Sequence, residues 1–307
     1  MRVLVTGATG FVGSHVCQAL LAENHEVLAL SHSPGNDRIA SLLAHGSFHL
    51  LNGDIRSLPT MQNIMEANKV DAVIHLAARK VYPPTLDIYP EYVETNAKGT
   101  LNVLHSSLLA KVPRVIYIST KDVYGVPSYL PVDEDHPKRP VDFYSLTKLH
   151  GEQCCEYYAQ NYGLSVIVLY FACIYGVGRE RGATYNFIQA ALKGQPFPIS
   201  SDGNQTRDFV YVGDVASATV KALDISGETK FDVFNIGTGV ETSVKELASK
   251  INDITGANID FRYVPKDSDK RFVFDISKAQ RVLGYQPRPL DDTLNEFIQA
   301  LKAGGQT

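Results

Sequence analysis

At 307 residues, with 44% hydrophobic and 20% charged residues, the chain has the composition of a globular protein with room for one large domain or two modest ones. Its formal charge of −4 supplies no global field for nucleic acid or an anionic membrane, so an anionic ligand needs local cations. No apolar run approaches the roughly 20 residues of a membrane span. No signal peptide is expected, and Cys17, Cys154, Cys155 and Cys173 lack metal-ligand spacing, so no metal site and free thiols in a reducing cytoplasm are expected.

The apolar run Val3-Leu4-Val5 leads into Thr6-Gly7-Ala8-Thr9-Gly10-Phe11-Val12-Gly13, and apolar residues of helical period follow at Val16, Ala19 and Leu20. This reads as a strand, a glycine turn and a helix N-terminus. The unpaired N–H groups and positive dipole end of a first helical turn suit a pyrophosphate, and glycines admit close backbone approach. An ordinary glycine-rich turn is the alternative. Further apolar runs at Val27–Leu30, Phe48–Leu51, Ala72–Leu76, Val115–Ile118 and Val166–Leu169 alternate with helical stretches. Strands apolar throughout and separated by helices imply an α/β fold, a doubly wound parallel (Rossmann) sheet covered on both faces.

Past Tyr175 the texture changes. A glycine- and arginine-rich loop spans Gly176–Gly182, Lys193–Asn204 is rich in Gly, Pro and Ser, and a strand-like Val233–Ile236 precedes an amphipathic pattern at Val244, Leu247, Ala248 and Ile251. The expected division is a dinucleotide-binding domain over 1–170, with returns near 206–238, and a smaller substrate lobe over 171–205 and 239–307.

At the end of the second strand, Ser31-His32-Ser33 and then Arg38 stand where an acid would accept the adenosine ribose hydroxyls and select NAD. Without that carboxylate the balance moves towards NADP, so NAD or NADP is expected, NADP at least equally; a serine that merely caps a turn is the alternative for Ser31. Further along, Tyr144 and Lys148 lie one helical turn apart on one face. A neighbouring ammonium favours a phenolate, and a phenol near pKa 10 needs that help to act as a base.

These segments, taken together, resemble the extended short-chain dehydrogenases/reductases, the family of nucleotide-sugar epimerases and dehydratases. The resemblance runs through Thr6–Gly13, Gly53-Asp54-Ile55, His75-Leu76-Ala77-Ala78, Asn96-Ala97-Lys98-Gly99-Thr100, Val115–Gly125, Tyr144–Lys148, Thr206–Ala216, Asn235–Gly239 and Asp275–Tyr285, nearly the whole chain in order. It implies that Gly7, Gly10, Phe11, Val12, Gly13, Ser31, His32, Arg38, Asp54, Ile55, Leu76, Ala77, Ala78, Asn96, Tyr144 and Lys148 bind the cofactor. It implies Thr120, Tyr144 and Lys148 as catalytic residues and Arg207 as a contact to a substrate phosphate. Lys80, Thr85, Lys121 and Cys173 fall on segments that face the sugar nucleotide. The family also implies a homodimer through the helix with Leu101, Leu104 and Leu108 and the helix with Leu149, Tyr157 and Tyr158.

Departures bear on the substrate. Tyr170 and Cys173 occupy positions that usually hold Arg and Asn, and the usual Arg-Pro-Gly stretch is replaced by Pro265–Arg271, where Lys266, Lys270 or Arg271 would supply the missing cation. Thr120-Lys121-Asp122 stands where dehydratases of the family commonly carry Thr-Asp-Glu. Lysine is a poor stand-in for a carboxylic acid, while Asp122 is more than an epimerase needs. The expected activity is therefore a UDP-sugar 4-epimerase working through a 4-keto sugar, with a 4,6-dehydratase using Asp122 as base, a 4-ketoreductase, and a cofactor-binding regulator without turnover as successive alternatives.

Overall fold

The structure, a computed structural model, describes residues 1–33, 37–226, 229–257, 260–264 and 270–304. In chain order the strands are β1 (Arg2–Thr6), β2 (Glu26–Ser31), β3 (Phe48–Asn52), β4 (Ala72–His75), β5 (Arg114–Thr120), β6 (Val166–Phe171), β7 (Cys173–Tyr175), β8 (Phe197–Ser200), β9 (Thr206–Arg207), β10 (Phe209–Tyr211), β11 (Phe231–Ile236), β12 (Thr242–Ser243) and β13 (Phe261–Val264). The α-helices are α1 (Phe11–Ala22), α2 (Leu58–Asn68), α3 (Tyr89–Tyr92), α4 (Gly99–Leu109), α5 (Phe143–Tyr162), α6 (Ala183–Leu192), α7 (Val212–Lys221), α8 (Val244–Thr255), α9 (Ser277–Leu283) and α10 (Leu290–Gly304). A π-helical stretch, Val93–Lys98, joins α3 to α4.

Seven strands form one parallel sheet in the order β11-β6-β5-β4-β1-β2-β3. Every residue of β4, β5 and β6 is buried, as strands covered on both faces require. The chain starts in β1, winds outward through β2 and β3, then crosses back to β4 beside β1. The order therefore reverses at β1, and the carboxyl ends of β1 and β4 flank the crevice in which ligands of such sheets lie. All six apolar runs named from the sequence are strands of this sheet, as is Val233–Ile236 within β11.

The remaining strands pair off in twos: β7 with β10, β8 with β13 and, antiparallel, β9 with β12. They accompany a second apolar core that includes Phe187, Ile188, Phe197, Leu247, Ile251, Leu294 and Phe297. Residues Phe272, Phe274, Ile276, Ala279, Leu283 and Tyr285 instead belong to the core of the large sheet. The chain thus returns to that sheet once more than the sequence pattern suggests, because α9 lays its apolar side on β11. No helix among the described residues is long and apolar enough to cross a membrane.

Candidate active site

The glycine turn closes on the end of β4. Gly7 has φ +71°, and a Cβ there would stand 2.8 Å from the Ala77 nitrogen; at Gly13 a Cβ would stand 2.1 Å from the Gly7 carbonyl oxygen. Both positions need glycine because backbone lies where a side chain would begin. Gly10 caps α1 without any side-chain hydrogen bond, so no capping side chain occupies the helix N-terminus. This cradle of bare backbone fits a pyrophosphate, and Gly7, Gly10, Phe11, Val12, Gly13, Leu76, Ala77 and Ala78 line or adjoin it.

A buried hydrogen-bond chain braces the cradle. The Ala77 N–H donates to Thr6 Oγ1 (3.2 Å), which meets His75 Nδ1 at 2.7 Å; His75 Nε2 meets Thr100 Oγ1 at 3.0 Å, and that hydroxyl donates to the Asn96 carbonyl at 2.6 Å. The two main-chain ends fix every direction between them, so His75 is neutral and carries its proton on Nε2. Burial, and then Lys148, push its pKa down to about 3, in keeping with that state. The Asn96 side chain, in the π-helical stretch, accepts the Arg79 N–H (2.7 Å) and donates to the Arg79 carbonyl (3.0 Å) and to Thr147 Oγ1 (3.0 Å). Asn96 thereby ties the loop after β4 to α5.

At the end of β2, Ser31 Oγ lies 3.1 Å from Thr9 Oγ1 and accepts the Ser33 N–H at 3.2 Å. The turn-capping alternative for Ser31 is what the structure shows. His32 and Asp54 share a pocket of about 400 Å³ with Asn52, Gly53, Arg56 and Thr60. Asp54 is held by Arg56 through Nε (2.8 Å) and Nη2 (2.6 Å), a cation that the sequence reading missed. Arg38 reaches instead to the Gly178 carbonyl at 3.4 Å, across to the loop after β7. Ile55 is buried, with its methyl end 2.6 Å from where a Gly99 Cβ would stand.

Helix α5 begins with a capping box in which Asp142 Oδ1 accepts the Ser145 N–H at 2.7 Å. That start sets Tyr144 in the first turn and Lys148 one turn on. Tyr144 packs edge-on to Tyr92, and the Lys80 ammonium lies 4.2 Å from its ring centre. Lys148 is buried, its Nζ 4.1 Å from the Tyr117 ring centre. Gly151 was also missed: Tyr117 Oη lies 2.3 Å from where its Cβ would be, so only glycine lets α5 approach β5 this closely.

Burial first, then the Asp122 carboxylate, push the Tyr144 phenol up rather than down. Burial brings Lys148 down from 10.5 to about 7. The expected lowering of Tyr144 by Lys148 is thus outweighed in the free protein, where both groups are out of water. Burial alone would raise Asp122, but Lys121 and then Lys80 hold its carboxyl well below the usual range.

Thr120 ends β5 and caps the turn Lys121–Tyr124, donating to Asp122 Oδ2 at 3.3 Å. Asp122 sits between Lys121 (2.9 Å) and Lys80 (3.2 Å). Cys173 is in β7 near Lys121 and Arg207, and burial raises its thiol while these two cations pull the other way. Arg207 bonds the carbonyls of Thr206 (2.6 Å) and Lys270 (2.9 Å). The neighbouring Asp208 is fully buried and turned inward, taking the N–H groups of Thr238, Gly239 and Phe274 and the Thr238 hydroxyl.

Two expected substrate residues are placed otherwise. Thr85 is exposed and caps its own turn, with its carbonyl accepting the Ile88 N–H at 3.2 Å. Arg271 is paired through two nitrogens with Glu241, each bond 2.6 Å, so it is not the free cation that the sequence suggests. Lys270 is exposed and offers its carbonyl to Arg207, and Lys266 lies outside the described residues. Arg179 was not singled out, although it stands in the glycine- and arginine-rich loop; its guanidinium lies 5.4 Å from the Phe11 ring centre and feels Cys173. The larger surface hollow, about 740 Å³ beside Tyr185, Gln189 and Arg262, includes none of these residues.

Comparison with known proteins agrees with this geometry. The model of the NAD dependent epimerase/dehydratase family matches residues 3–237. A putative UDP-glucose 4-epimerase of Methanocaldococcus jannaschii is 35% identical over 99% of this chain and 100% of its own length. The crystal structure of UDP-glucuronic acid 4-epimerase from Bacillus cereus, in complex with UDP-glucuronic acid and NAD, superposes with a TM-score of 0.88 at 32% identity, covering 99% of both chains. A dTDP-glucose 4,6-dehydratase from Streptomyces venezuelae, with NAD bound, also reaches 0.88 at 28% identity, covering all of this chain and 98% of its own. Overall shape therefore does not separate the two reactions.

Proposed function

The chain belongs to the NAD dependent epimerase/dehydratase family, and on that premise we propose that it is a UDP-sugar 4-epimerase. The observation that carries this choice over a dehydratase is the state of Asp122. Both its oxygens are engaged by Lys121 and Lys80, and its carboxyl is held strongly ionised. A carboxylate so stabilised is a poor base for a sugar carbon, and Lys121 is no acid for expelling a hydroxyl.

In this reading Thr120 holds the 4-oxygen of the sugar. Tyr144 removes the 4-hydroxyl proton and later returns it, and Lys148 orients the nicotinamide ribose and supports the charge on Tyr144. A nicotinamide dinucleotide, when bound, supplies the acceptor for the C4 hydride and gives it back. Arg207 and Arg179 meet the substrate diphosphate, beside Cys173. Ser31, His32, Arg38, Asp54 and Ile55 receive the adenosine end.

The missing acid after β2, with His32 and Arg56 in its pocket, favours NADP at least as much as NAD. Calorimetry with both checks this; NAD bound a hundredfold tighter, a difference of about 2.7 kcal/mol, overturns it. The large sheet with its returns forms the dinucleotide domain, and the second core forms the substrate lobe. A homodimer through α4 and α5 accounts for the exposed Leu101 (40%) and Tyr157 (54%), and a monomer in light scattering refutes it.

Incubation with a panel of UDP-sugars, read by chromatography and mass spectrometry, tests the activity. Unchanged mass with a new retention time is expected. Loss of water points to the dehydratase, and gain of two hydrogens to the reductase.

A further inference from the structure

The reading above leaves the sugar open, and the charge beside Tyr144 narrows it. Lys80, Lys121, Arg179 and Arg207 gather around the cleft outside Thr120: Lys80 lies over the Tyr144 ring, and the other three act electrostatically on the Cys173 thiol or on one another. Two carboxylates stand near them. Asp208 is fully buried and saturated by four donors of the fold. Asp122 is the one bonded to cleft cations, and it is shared by Lys121, Lys80 and the Thr120 hydroxyl.

Lys121 is the most constrained of the four. Its side chain is 19% exposed, and its ammonium lies 4.7 Å from the Phe272 ring centre. Its bonded carboxylate is divided with a second ammonium, so about one positive charge stands unbalanced at a largely dehydrated position. Such a charge costs free energy in the free protein, and an anionic ligand group removes that cost. The diphosphate has Arg207 and Arg179 on the other side of Cys173. Lys121 follows Thr120 directly, so it sits beside the 4-oxygen and within reach of the substituent on the next ring carbon. In a hexose that substituent is carbon 6.

Resting on the 4-epimerase reading, we infer that the sugar is a uronic acid, whose 6-carboxylate is taken by Lys121 with Lys80 completing the charge balance. A neutral 6-hydroxymethyl group leaves the second ammonium unbalanced, so Lys121 is the residue that selects the acid.

The test measures kcat/KM for 4-epimerisation of UDP-glucuronate and of UDP-glucose by the full chain with bound cofactor. The uronate is expected to be favoured at least tenfold. Lys121→Met is expected to lower that preference by tenfold or more, chiefly through the KM for the uronate, and Lys121→Arg to keep more of it than the methionine variant. A wild-type preference for UDP-glucose, a ratio unmoved in Lys121→Met, or an arginine variant indistinguishable from the methionine one overturns the uronate assignment and leaves the epimerase reading intact. Failure to invert C4 in either sugar overturns both. The wild-type ratio needs no variant, so the test stands even if Lys121→Met does not fold.

Discussion

The cleft has two walls, and they are built differently. The wall formed by β1, β4 and the start of α1 recognises by backbone: Gly7 and Gly13 leave no room for a Cβ, and His75, Thr6, Thr100 and Asn96 brace the turn from behind. The opposite wall recognises by charge. Lys80, Lys121, Arg179 and Arg207 come from four separate segments, and their partners are one shared carboxylate and several carbonyls. A dinucleotide pyrophosphate is the same in every reaction, so rigid backbone suits it. The sugar nucleotide varies, and side chains on loops are the means by which one fold changes substrate.

The largest effect is expected where the walls meet. Tyr144→Phe should lose turnover by roughly 10²-fold or more, since a positioned acid–base group is typically worth that much, while still binding cofactor and UDP-sugar in calorimetry. Near-normal turnover would sink the mechanism, because no other group in the cleft is placed to take the proton.

Next comes a break in the backbone wall. Gly13→Ala puts a Cβ 2.1 Å from a main-chain oxygen that cannot swing aside. A loss of about 1–3 kcal/mol is expected, divided between thermal stability and cofactor affinity, with UDP-sugar binding less affected. Equal weakening of both ligands would erase the distinction between the walls.

Lys148 gives an effect of similar or smaller size that depends on pH. Its folded value of about 7 lies below the ordinary 10.5, so between these values the unfolded chain binds more protons and stability rises with pH. From pH 7 to 9 the wild type should gain up to about 2 kcal/mol relative to Lys148→Met in urea denaturation, as one unit is about 1.36 kcal/mol. A difference that stays flat would mean that the ammonium is not desolvated in the free protein.

The smallest effect sharpens the charged wall. Asp122→Asn should leave turnover within a few-fold of wild type if Asp122 only anchors Lys121 and Lys80. Trapped reduced cofactor, absorbing near 340 nm, would instead mark it as the base of a water-losing step.

Sequence alone carried the fold and the backbone wall. The sheet strands are continuous apolar runs, because burial on both faces leaves no polar position to disguise them. Gly7 and Gly13 stand out because no other residue meets a steric demand that is local to eight residues of chain. The spacing of Tyr144 and Lys148 is likewise fixed by one helix. The charged wall was legible only as a set of candidates. Nothing in the order of residues shows that Lys80, 42 positions away, would share Asp122 with Lys121, or that Arg271 would be taken by Glu241, 30 positions away. Arg56 and Arg179 escaped notice for the same reason. Whether a surface cation meets a ligand or a neighbour depends on which segments the tertiary fold sets side by side, because charge pairs within a few ångströms regardless of distance along the chain. The apolar period and the glycine turn are local quantities, and the balance of ammonium against carboxylate beside Tyr144 is a property of the folded chain only.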